Sequence, residues 1–176
     1  AVHNLSVLTW IQFVLAISIV FALWWLFFTI VSDRQCKKGL LNSSLFELIF
    51  IPTLIGLGML GASFNDIFKY FNDPGMQSLW ATKSFGFSIS LFLLGIWALM
   101  SFLKYPDIFL PFKKAAKQAF LVTVFLIIVL TCLPLQIALV FHFVIVLIIL
   151  IGLILYLNGI WFRMMKNGNG IEEIKL

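Results

Sequence analysis

Apolar residues fall into five long runs separated by short polar stretches. The runs are Leu5–Val31, Leu45–Phe64, Gly86–Leu103, Ala119–Leu133 and Ile137–Phe162. A helix needs about 20 apolar residues to cross a hydrocarbon layer of about 30 Å. The third run lengthens back to Ser84, and the fourth back through Ala115-Ala116-Lys117-Gln118, with Lys117 snorkelling toward headgroups. The first run is rich in β-branched and aromatic residues. Lipid offers no partner to an open strand edge, however, so it also reads as a helix. Pro134 and Gln136 make Leu133–Gln136 a tight turn, because one helix through both flanking runs would span the membrane twice over. The pattern predicts an all-α polytopic integral membrane protein: a single domain over 1–176 with five transmembrane helices, at about 5–31, 45–64, 84–103, 115–133 and 137–162.

Local signals refine the ends. Ser44-Leu45-Phe46-Glu47 has the form of a capping box opening span two. Phe64, Ile67, Phe68 and Phe71 keep helical spacing, with Asn65, Asp66, Lys69 and Asn72 opposite, so span two should continue as an amphipathic turn or two. Asn72-Asp73-Pro74-Gly75 reads as an outer turn. Pro52 should kink span two or loosen one backbone bond. Tyr70 and Trp80 mark one interface, and Tyr105 and Trp161 the other.

Composition agrees. Of 176 residues, 62% are hydrophobic and 11% charged, against about 25% charged in soluble domains. This excludes a soluble globule, a disordered tail and a nucleic-acid module. The net charge of +5 acts mainly through its placement. Arg34, Lys37, Lys38, Lys104, Lys113, Lys114, Lys117, Arg163, Lys166 and Lys175 fall on one side of a five-span chain, and only Lys69 and Lys83 on the other. The positive-inside rule then puts the amino end outside and the carboxyl end inside. The membrane expected is a bacterial inner membrane or an equivalent energy-transducing organelle membrane. The first run is too long, and too poor in basic residues before it, for a cleaved signal peptide. Cys36 and Cys132 lie at opposite sides and cannot pair within one chain.

Small residues point to helix packing. Gly58/Ala62 in span two and Gly86/Ser90 in span three are small-xxx-small pairs that let backbones approach, so these two spans should pack together.

Candidate chemistry is sparse. No Ser/His/Asp set, paired intramembrane carboxylates or Gly-rich phosphate loop occurs. His142 is the one ionisable residue deep in a span, about 8–11 Å from its outer end. It suits a haem or copper ligand or a proton relay. Equally, it suits a neutral imidazole bonded to a carbonyl or serine of a neighbouring helix. His3 starts span one on the same side, where it is either a second haem ligand or an interfacial polar residue. With Ala1 as a free amine, Ala1-Val2-His3 also offers four nitrogens suited to square-planar Cu(II) or Ni(II). Lys83 opens span three, either neutralising a ligand's oxygen or snorkelling to headgroups. Asp66 and Asp73 read as solvated loop acids, and Glu47 as a cap.

The opening Val2-His3-Asn4-Leu5-Ser6-Val7-Leu8-Thr9-Trp10 resembles the first helix of HemJ-type protoporphyrinogen oxidases and CopD-type copper-resistance membrane proteins. Ile51-Pro52-Thr53 through Trp80-x-x-Lys83 is similar to their second and third helices. The resemblance implies a haem-associated role for His3, a functional role for Lys83, and haem b or copper as cofactor. Their small-residue and Leu-Pro-Arg features after the first histidine, and the Asn-Glu pair of their fourth helix, are missing from Ile11–Leu26 and Ala119–Leu133.

Three functions are compatible with these features. A non-catalytic accessory subunit of a larger membrane complex, respiratory or otherwise energy-converting, fits the sparse chemistry and the broad apolar faces toward lipid and other subunits. The second is a small haem- or copper-handling protein built on His3, Lys83 and His142. The third is a transporter or sensor bundle.

Overall fold

A computed structural model of the chain describes residues 7–32, 34–70, 79–106, 109–133 and 139–166. Five helices follow in order: α1 Val7–Phe27, α2 Leu40–Tyr70, α3 Leu79–Phe102, α4 Leu110–Cys132 and α5 Leu139–Lys166. A π-helical turn, Phe28–Ser32, continues α1. All five are long and apolar enough to cross a membrane, as the hydrophobic runs predict. Among the described residues the only extended pairing is an isolated bridge, Cys36 to Leu103.

Several helix ends differ from the sequence expectation. α2 starts at Leu40, because Gly39 adopts φ 125°, where a side chain would be strained, and its carbonyl accepts from Ser43 N–H at 3.1 Å. Ser44 and Glu47 therefore lie inside the helix, and the expected capping box does not form its start. α4 starts at Leu110 with Pro111 in its first turn, a position where the missing N–H costs nothing. Lys113 and Lys114 join Lys117 within the helix as a result. α2 runs on to Tyr70 as expected, and it passes through Pro52 without interruption. The expected turns at Leu133–Gln136 and Asn72–Gly75 lie largely or wholly outside the described residues.

α3 forms the centre. Phe85, Ile89, Phe92, Leu93, Ile96 and Met100 are buried along it at three- and four-residue spacing. α2 and α4 flank α3, and α1 lies against α5. The expected pairing of α2 with α3 is the most extensive contact in the bundle. Its close approach is made at other residues, however. A Cβ at Gly56 would stand 2.9 Å from the Phe92 backbone nitrogen, and one at Gly95 would overlap the Thr53 side chain. Gly58 has nothing within 4 Å, and Ala62 is exposed beside it. Gly86 faces α4 instead, where an added Cβ would overlap Thr131. Ser90 is buried with its hydroxyl unpaired.

The α1–α2 and α3–α4 connections meet at one end of the bundle. Lys37 N–H donates to the Phe102 carbonyl at 2.8 Å, and Lys104 N–H donates to the Gln35 carbonyl at 2.9 Å.

Candidate functional site

Two polar regions interrupt the apolar interior, one toward each end. At the end where α1, α3 and α5 begin, Phe64, Phe85 and Phe143 form an aromatic trio with centroid separations of 5.4, 5.8 and 4.9 Å. His142 meets Phe85 edge-on, at 6.0 Å and 64°. Beside the trio, the Ser63 and Ser84 hydroxyls are hydrogen-bonded at 2.8 Å. His142 is only 5% exposed and its Nε2 has no partner, so this nitrogen lacks the carbonyl or serine bond envisaged above.

Gln12, which the sequence reading did not single out, is 1% exposed with neither amide atom paired. α1 and α5 pack in the same direction and end together at a cavity lined by Leu26 and Leu157. Gln12 lies about 21 Å before Leu26 along α1, and His142 about 22 Å before Leu157 along α5. The two unpaired groups thus stand at one level. A glutamine inside an apolar run was the available signal for this layer.

Lys83 is half-buried on α3, and His3 lies outside the described residues. Among the described residues no three His, Cys, Asp or Glu side chains gather as metal ligands. The expected partnership of His3 with His142 therefore lies outside the described residues.

The opposite end is basic. The Arg34 guanidinium lies 4.1 Å from the Tyr105 ring centroid, and the Lys113 ammonium lies 4.9 Å from the same ring. Lys113 donates to the Leu103 carbonyl at 3.3 Å. Lys117 donates to Ser101 Oγ at 2.6 Å and covers the Trp97 ring at 4.6 Å. Cations over aromatic faces gain from the ring quadrupole, more so where water is thin. Burial raises the Tyr105 phenol above its ordinary value of 10.0, an effect partly opposed by Arg34. The Tyr105 hydroxyl and Arg34 Nε are buried and unpaired.

A cavity of about 560 Å³ opens next to this cluster, between the ends of α1, α4 and α5. Its walls are Leu26, Ile30, Phe112, Ile154, Leu157 and Trp161, with Arg34, Thr29 and Asn158 as polar groups. The size is that of a small-molecule site. The π turn supplies part of the wall, and such turns recur at functional sites. The sequence showed the basic loops but not their convergence, which depends on the Cys36–Leu103 bridge between distant segments.

The profile of the bacterial low temperature requirement A protein (LtrA) family matches residues 1–158. No curated protein and no solved structure matches the chain. The family match overturns the HemJ and CopD resemblance. The features that carried it were a histidine-to-tryptophan spacing, a proline-led helix and Trp80-x-x-Lys83, short patterns that apolar helices of this composition can carry without kinship. The chain belongs to the LtrA family of bacterial membrane proteins.

Proposed function

We propose that this chain is a non-catalytic component of a larger assembly in the bacterial inner membrane, with its basic end facing the cytoplasm. The observation carrying this reading is the outer face of α2. Leu48, Ile51, Leu54, Ile55 and Met59 are exposed there, around a shallow strip of exposed Ala62 with Gly58 and Gly61, where a side chain would meet open space. In lipid, such strips associate with other helices through close backbone contact. The orientation is supported by the ten-to-two division of basic residues.

Extraction into native lipid discs tests the reading. The expected particle is larger than the 20.1 kDa chain and shrinks to the single chain in Gly58→Leu, with helical content unchanged. A wild-type particle holding one chain alone refutes it. The family description names a low-temperature requirement, and a role in such an assembly would appear as a growth defect of a deletion strain confined to the cold.

A further inference from the structure

We infer that the cavity between α1, α4 and α5 holds an anionic phospholipid, its phosphate against Arg34 and an acyl chain between α1 and α5. Three independent features converge on this occupant. The walls are apolar, but one corner carries Arg34, whose buried Nε has no partner. The surrounding charge is of one sign: Lys113 shares the Tyr105 ring with Arg34, and Arg34, Lys113 and Lys117 have no acidic partner among the described residues. Asp33 and Asp107, the nearest acids in sequence, lie outside those residues. Finally, the rim faces the bilayer. Trp25 is 49% exposed and Phe162 70% exposed at the cavity's edge, so an acyl chain enters sideways from the leaflet. A free anion would gain nothing from these walls, whereas a zwitterionic lipid would bring its own cation toward Arg34. A guanidinium can hold a phosphate through two parallel hydrogen bonds.

Tryptophans in the wall provide the readout. The full chain is reconstituted in phosphatidylcholine vesicles containing increasing fractions of phosphatidylglycerol or phosphatidylcholine brominated on the acyl chains. Fluorescence quenching is then compared between the two lipids. Brominated phosphatidylglycerol should give a saturable component at about fivefold lower mole fraction, equivalent to about 1 kcal/mol for one basic side chain near an anionic lipid. Trp25→Phe with Trp161→Phe should remove that component, and Arg34→Gln should equalise the two lipids. If Arg34→Gln does not fold, salt decides on the wild type. Near 1 M, where screening length falls to about 3 Å, the preference should shrink. Equal quenching by both lipids in the wild type overturns the inference, as does a preference indifferent to both Arg34→Gln and salt. Complete displacement by inorganic phosphate also overturns it, by assigning the pocket to a soluble anion.

Discussion

Gly86 on α3 and Thr131 on α4 occupy reciprocal space: the hydrogen at Gly86 leaves room that the Thr131 side chain fills. Thr131 is itself fixed, its hydroxyl donating to the Ile127 carbonyl at 2.7 Å. This contact sets the separation of the two helices at the level of the aromatic trio.

Gly86→Ala should therefore destabilise the bundle by about 1–3 kcal/mol, the usual cost of overpacking. Thr131→Ala removes the two outer atoms of the clash and leaves a single contact at 2.9 Å, so the double variant should recover part of the loss. Thermal unfolding in detergent measures both. Gly58→Ala, with open space around it, should leave the isolated chain's stability within about 0.5 kcal/mol.

Gln12→Leu should stabilise the isolated chain by about 1–3 kcal/mol, because it removes a buried amide with both ends unpaired. The same unfolding assay applies. Destabilisation instead would show that the amide is satisfied by a group that binds there.

Leu103→Cys should form a disulfide with Cys36 under mild oxidation. Antiparallel bridge partners stand about 4.5–5.5 Å apart at Cα, within disulfide reach. Thiol titration in a Cys132→Ser background would then find no free sulfhydryl. Two remaining thiols would show that the basic connections do not pair.

Tyr105 should ionise above pH 10.0, with burial as the leading cause. A phenol that holds its proton more tightly when folded contributes stability that is complete below pH 10.0 and lost as pH rises through the raised folded value. Absorbance at about 295 nm during alkaline titration should show this late step, and Tyr105→Phe should abolish it.

The five helices were legible because hydrocarbon thickness and hydrophobic length are directly comparable. The start of α2 was not: Ser44–Glu47 has a capping pattern, but Gly39 stops the chain earlier through its left-handed backbone. The α2–α3 pairing was legible from small residues in general, but which glycines touch depends on helix rotation, so Gly56 on α2 and Gly95 on α3 make the close approach expected of Gly58/Ala62 and Gly86/Ser90. His142 was found because an ionisable group in an apolar run is conspicuous. Gln12 was overlooked because an uncharged amide attracts less notice, and the cavity beside Arg34 because its lining comes from three separated parts of the chain.

The hydrogen bonds joining Gln35 to Lys104 and Lys37 to Phe102 clasp the bundle at one rim. Helices so fastened cannot splay at that rim without breaking the clasp, and relative motion must pivot about it. Displacement then grows with distance from the pivot. For the four helices whose connections the clasp joins, it is largest at the far rim, where Gln12 stands. A firm hinge at one face and a more pliant layer at the other follow from the same two bonds.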